Sequence, residues 1–288
     1  MTTTNFDLAI DGDGIALLTW NMPDRSMNVI TLQGIEELSA IVDQLVADAA
    51  VKGVVVTSAK EAFCGGADIT LLESLGRTYA AFAKEMGEEQ AALRFFEESR
   101  KLSLLYRRIE TCGKPWVAAL NGTAMGGGFE FALACHHRVA AQNPKTRLGL
   151  PEIKVGLFPG AGGTTRIARM LPPADALQFL LKGDQLRVEG AKAMKLIDAV
   201  VAHGDLVAAA KDWIKAGGKA KNPWDVEGFK LPGGRVWSPS GMQTFSAANA
   251  IYRRETYDNY PAIRAGRWRW RRRRSACRTG TRHVRRAA

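Results

Sequence analysis

The apolar residues fall into short unbroken runs separated by stretches with helical spacing. Gly53-Val54-Val55-Val56-Thr57 and Trp116-Val117-Ala118-Ala119-Leu120 are continuous apolar runs bounded by turn residues, the pattern of strands buried on both faces. Residues 6–10 and 14–20 alternate around Asp11-Gly12-Asp13-Gly14, which predicts a hairpin. From Thr31, a suitable N-cap, Leu32, Ile35, Leu38, Ile41, Val42, Leu45 and Val46 recur at helical spacing. Residues 77–111 also read as helical. The first part, 77–97, is rich in alanine and charge and suggests a mobile flap, whereas Leu102, Leu105 and Ile109 suggest an anchored second part.

The later pattern predicts a helix over 128–135, a strand over 137–141 and helices over 164–171, 174–181 and 189–196, with Pro172-Pro173 and Gly183 as breaks. A last strand is expected over 197–202 and a further helix over 205–217. Residues 218–242 read as an irregular connection, and 244–265 as a final helical segment interrupted near Pro261. The strand–strand–helix rhythm favours an α/β spiral over a doubly wound sheet. It divides the chain into a spiral core at 1–203, a helical and irregular segment at 204–265 and a tail at 266–288.

Two places combine a buried strand with a glycine turn. The 53–57 strand runs into Ala62-Phe63-Cys64-Gly65-Gly66-Ala67-Asp68-Ile69, and the 116–120 strand into Asn121-Gly122-Thr123-Ala124-Met125-Gly126-Gly127-Gly128-Phe129-Glu130. Glycine lets a ligand approach the backbone closely, and the unpaired N–H groups of a following helix favour a negative oxygen. Two such turns are expected to give one donor each to a single developing oxyanion. Glu130, set among Phe129, Phe131 and Leu133, and Glu152, after Pro151 and before a strand-like 153–157, are the candidate carboxylates. Two glutamates in one pocket titrate as a coupled unit with one pKa raised, which suits paired acid and base roles. An ordinary helix-start glutamate and a loop glutamate are the plainer alternatives.

Phe-Cys-Gly-Gly-Ala-Asp-Ile, Lys-Pro-Trp-Val-Ala-Ala-Leu-Asn-Gly, Met-Gly-Gly-Gly-Phe-Glu and Phe-Pro-Gly-Ala-Gly-Gly-Thr stand in the order found in the crotonase (enoyl-CoA hydratase/isomerase) superfamily, which this chain resembles over about residues 5–265. More narrowly it resembles the hydratase part of multifunctional fatty-acid oxidation α-subunits. The resemblance implies a crotonase spiral that hydrates trans-2-enoyl-CoA in β-oxidation. Glu130 would be the base that activates water and Glu152 the acid that protonates Cα. The amides of Ala67 and Gly127 would form the oxyanion hole, Gly160 would help position water, and Ala62, Phe63, Asp68 and Ile69 would lie along coenzyme A. No cofactor beyond the substrate's own coenzyme A is implied, and a cytoplasmic homo-oligomer, a trimer or hexamer, is expected by analogy. The 22-residue step from Glu130 to Glu152 is longer than in many hydratases, with Asn143-Pro144-Lys145 as the insertion. Thr165 stands where glutamine is common. An isomerase that uses one carboxylate is the alternative within the family, and an inactive fragment with a nucleic-acid-binding tail the alternative outside it.

Composition adds limits. The net charge of +11 is concentrated in the tail: residues 267–288 carry ten arginines and no acid, which leaves 30 Lys and Arg against 29 Asp and Glu in the rest. Clustered arginine suits an anionic partner, but a disordered, non-functional end is the preferred expectation, so nucleic acid is not an expected partner. In the α-subunits a dehydrogenase domain would follow at this point. No apolar run reaches transmembrane length, the first seven residues lack signal-peptide character, and Cys64, Cys112, Cys135 and Cys277 show no CxxC spacing, as in a reduced protein. Adjacent His136-His137 is not a metal-ligand spacing, and neither glycine cluster fits the dinucleotide fingerprint, so neither a metal nor NAD is expected.

Overall fold

The computed structural model describes residues 4–256 apart from Arg235, together with Ala262 and Ala265. The arginine-rich tail and the expected break at Pro261 lie outside the described residues. The main sheet has six strands in the order β1 (Phe6–Ile10), β2 (Ile15–Trp20), β3 (Gly53–Ser58), β4 (Trp116–Leu120), β6 (His137–Ala141) and β9 (Ala199–Val201). β1 runs antiparallel to β2, and every later pairing is parallel. A second sheet joins three two-residue strands, β5 (Ala124–Met125), β7 (Leu148–Gly149) and β8 (Gln185–Leu186). This is the α/β spiral architecture expected from the strand–strand–helix rhythm.

The period of two along each strand sorts side chains to opposite faces of the main sheet. Val55, Val117, Ala119, Val139 and Ala141 meet helix α8 (Leu206–Lys215) through Leu206, Ala210 and Ile214. Val54, Val56, Trp116, Ala118, Leu120 and Ala140 face the larger core, under α1 (Leu32–Ala47), α3 (Glu88–Thr111) and α4 (Gly127–Ala134). Thr31 caps α1, its side chain accepting from the Gly34 amide at 3.0 Å. Leu38, Ile41, Val42 and Leu45 form the buried stripe, with Leu32 and Val46 exposed at its margins.

The helical stretch expected from residue 77 begins earlier, with α2 (Ile69–Met86), because Asp68 accepts from the Thr70 amide at 2.8 Å and caps it. Gly87, at φ +84°, separates α2 from α3. The strand expected over 153–157 is instead a 3-10 turn, Pro151–Val155. Proline at its start and Gly156 at φ +78° at its end close a helical turn there. Four further α-helices, α5 (Gly163–Met170), α6 (Pro173–Lys182), α7 (Val188–Ala193) and α9 (Pro239–Thr256), lie among the described residues.

The helix that carries Glu130, α4, is held by apolar packing on every side. All eight of its residues are buried and Glu130 is its one charged group. Phe131 anchors it, stacked on Tyr106 at 5.2 Å and touching Trp20, Phe63 and Trp116 at 6.3 to 6.5 Å between ring centroids. Emptying such a site costs about 3–5 kcal/mol, so the carboxylate rides on one of the most firmly packed elements of the fold.

Candidate active site

The two glycine turns pack against each other. Cys64 and Ala124 form a parallel bridge, the Met125 amide donates to the Cys64 carbonyl at 2.9 Å, and the Gly126 amide donates to the Gly149 carbonyl at 2.9 Å. Both turns need glycine: Gly66 has φ +104° and Gly126 has φ +53°, conformations costly for side-chain-bearing residues. A Cβ on Gly66 would also stand 3.1 Å from the Met125 carbonyl oxygen. Ala67 follows the first turn and Gly127 the second. Among the described residues neither of their amides is seen donating a hydrogen bond, and Gly127, as the first residue of α4, has no partner within its helix.

Two carboxylates overlook this pair of turns. Glu130, 2% exposed, accepts from the Gly163 amide at 2.6 Å on Oε1 and from the Ala161 amide at 3.1 Å on Oε2. Donors at both oxygens are the surroundings of a carboxylate rather than of a carboxylic acid. Glu152, carried just past β7 on the 3-10 turn, has its Oε2 buried with no hydrogen-bond partner among the described residues. Burial, and then the nearby Glu130 charge, push its pKa up to about 8. The structure therefore brings together one carboxyl group held by two N–H donors and a second whose hold on its proton is strengthened by burial and by the first.

Buried polar groups hold these pieces. Asn28, 0% exposed, donates to the Trp20 carbonyl and Ser58 Oγ, accepts from the Met22 amide, and its own carbonyl receives the Gly65 amide at 2.9 Å. Tyr106 donates to the Gly127 carbonyl at 3.0 Å. Arg166 donates to the Ala161 carbonyl and to Glu110, both at 2.9 Å. Gly163 allows Glu130 to approach the loop, since a Cβ there would meet Glu130 Oε1 at 2.8 Å and Cγ at 2.9 Å. None of Asn28, Tyr106, Glu110 and Arg166 stands out as a site residue in the sequence. Gly163 does leave a sign there, within the Gly162-Gly163 pair before α5.

The remaining expected residues are dispersed in role. Gly160 is exposed, with no heavy atom within 4 Å of the place a Cβ would take. Ile69 is 73% exposed at the start of α2, and Ala62 is buried beside the first turn. The Phe63 ring lies in the core against Trp20 and Phe131, and its amide donates to the Thr123 carbonyl. Asp68 caps α2 and pairs with Arg25 at 3.1 Å; its hydrogen bonds from Thr70 are the main cause that lowers its pKa. Among the described residues no helix is long and apolar enough to cross a membrane.

Residues 11–222 match the family described as enoyl-CoA hydratase/isomerase. A fatty acid oxidation complex subunit alpha of Shewanella amazonensis is 39% identical over 219 residues, 76% of this chain and 29% of that protein. The Shewanella halifaxensis protein of the same name is 35% identical over 259 residues, 89% of this chain and 34% of that one. The chain thus spans about a third of the length of the curated relatives it matches. Among solved structures, an enoyl-CoA hydratase from Bacillus anthracis superposes with a TM-score of 0.61 at 25% identity, covering 92% of this chain and 90% of that one.

Proposed function

This chain belongs to the enoyl-CoA hydratase/isomerase family, and we propose that within it the protein is a hydratase that adds water reversibly to trans-2-enoyl-CoA. One observation carries the reading: two carboxyl groups, one held by two backbone N–H donors and one with a raised pKa, overlook the same pair of glycine turns. Hydration needs both. An isomerase that moves one proton between two carbons needs a single group.

In this reading Glu130 accepts a proton from water as the water oxygen bonds to Cβ. The electron pair of the double bond moves toward the thioester, whose oxygen becomes enolate-like between the Ala67 and Gly127 amides. Glu152 then gives its proton to Cα, and the enolate collapses to the 3-hydroxyacyl thioester. Return of a proton from Glu130 to Glu152 resets the pair. Two preorganised N–H donors in a dry site are worth several kcal/mol at the developing oxyanion, since loss of one costs about 10²–10³ in turnover. Gly160, exposed beside the loop that holds Ala161, fits a water-positioning role. For coenzyme A, the exposed Ile69 is the accessible candidate, with Ala62 buried beside the first turn. Phe63 and Asp68 serve by shaping the turn between them.

The test is loss of enoyl absorbance with crotonyl-CoA, run beside a 3-enoyl-CoA isomerisation assay, on the full chain and on one ending at Ala265. Hydration well above isomerisation in both supports the reading. Isomerisation alone would replace it with the one-carboxylate alternative, and neither activity would point to an inactive fragment.

A further inference from the structure

Resting on the reading of Glu130 as the water-activating carboxylate, we propose that Arg166 and Glu110 are a positioning pair that holds Ala161 in place to fix that carboxylate. The two side chains are 3% and 2% exposed, and Arg166 Nε donates to Glu110 Oε1 at 2.9 Å. The same guanidinium donates through Nη1 to the Ala161 carbonyl at 2.9 Å, while the Ala161 amide donates to Glu130 Oε2 at 3.1 Å. Ala161 is thus held from both sides, by the arginine and by the carboxylate. The neighbouring Gly162, at φ +105°, lets the loop close over the arginine, because a Cβ there would stand 2.3 Å from Nη1.

Stability gives little reason for this arrangement. A buried ion pair offsets its desolvation only with good geometry, and well-packed apolar replacements are often as stable. What the pair supplies is direction. Arg166 Nε and Nη1 fix the guanidinium plane between Glu110 and the loop, and Glu110 is itself tied down by Arg107 at 3.0 Å and Asn222 at 3.4 Å. Arg107 in turn makes a two-pronged contact with Asp225 at 2.8 and 2.6 Å. The connection therefore runs from the segment after α8, through α3 and α5, to one oxygen of Glu130. A carboxylate misplaced by an ångström loses about 10²-fold in rate while substrate contacts elsewhere persist.

The experiment compares wild type with Arg166→Ala and Glu110→Gln by three readings: amide hydrogen exchange at Ala161 and Gly163, kcat and KM for crotonyl-CoA, and thermal melting. The pair predicts exchange at Ala161 faster by about tenfold or more, kcat lower by about 10²-fold in Arg166→Ala at nearly constant KM, and recovery of much of that kcat on adding guanidinium ion. Glu110→Gln, which keeps an oxygen acceptor and loses the charge, should show the same pattern in weaker form, and it decides the matter if Arg166→Ala does not fold. Unchanged exchange at Ala161 in a folded variant overturns the placement, whatever reaction the protein catalyses. Faster exchange with unchanged kcat, in a protein whose wild type hydrates crotonyl-CoA, overturns the positioning role. A wild type that fails to hydrate overturns the functional reading separately, while the exchange result still decides the placement.

Discussion

Glu130 and Glu152 approach the same step of backbone from different elements. A methyl group on Gly126 would touch Glu152 Oε1 at 3.4 Å, and one on Gly127 would come to 4.0 Å from Glu130 Oε2. One carboxyl group arrives on the buried helix α4 and the other on a 3-10 turn after β7. Their surroundings differ: two backbone N–H groups donate to Glu130, while Glu152 keeps a buried oxygen, unpartnered among the described residues, and a raised pKa.

The pH profile follows from that difference. In the proposed mechanism Glu152, its pKa pushed to about 8 by burial and by Glu130, can donate its proton only while protonated. Hydration measured as kcat/KM should therefore hold through neutral pH and fall above about pH 8. The basic limb should vanish from the residual activity of Glu152→Gln. A limb that persists unchanged in that variant would belong to another group.

The same shift acts on stability, with the opposite benefit. A carboxyl group raised from 4.5 to about 8 holds its proton in the folded state over that window while the unfolded chain has lost it. Stability from this group is complete below about pH 4.5 and is lost as pH rises toward 8. Glu152→Gln removes the penalty, so its melting temperature should exceed that of wild type at pH 9 by more than at pH 5. Parallel melting curves across this range would show that Glu152 is not held in a raised state.

Gly163 is a close-approach position. Its missing Cβ would collide with Glu130 Oε1 and Cγ and reach Leu150 Cδ1 at 3.0 Å. Gly163→Ala should cost about 1–3 kcal/mol of stability through overpacking and about 10²-fold in kcat through displacement of the carboxylate. Turnover and melting measured on one preparation distinguish this from simple unfolding: activity lost at a temperature well below the melt marks the carboxylate.

At Gly127 a Cβ meets the end of a flexible side chain, Ile30 Cδ1, at 2.5 Å. Gly127→Ala should lower both stability and turnover, and adding Ile30→Val, which removes that carbon, should restore most of the stability. If turnover also returns, glycine at 127 serves packing against Ile30. If turnover stays about 10²-fold low in the stable double variant, the amide geometry of the oxyanion site is what glycine preserves there.

Much of this is legible in the sequence where local signals are strong. β3 and β4 are unbroken apolar runs buried on both faces, Thr31 caps its helix, and the two glycine turns mark themselves by composition. The strands β5, β7 and β8 are not legible, because two residues carry no periodicity and their pairing is set by distant partners, such as Gly149 for Gly126. Residues 153–157 look strand-like only if Pro151 and Gly156 are passed over; those two are start and stop signals of a helical turn. Arg166 and Glu110 stand 56 residues apart on separate helices, where charges ordinarily read as solvated faces. Their burial becomes visible only with the fold.

The most direct measurement of the central claim is crotonyl-CoA hydration by Glu152→Gln, with acyl-CoA affinity measured beside it. Glutamine keeps the size of the side chain and removes its transferable proton. A proton-bearing Glu152 working with Glu130 predicts turnover lower by roughly 10²–10⁴-fold with affinity nearly unchanged. Turnover close to wild type in a folded Glu152→Gln protein would contradict the two-carboxylate account.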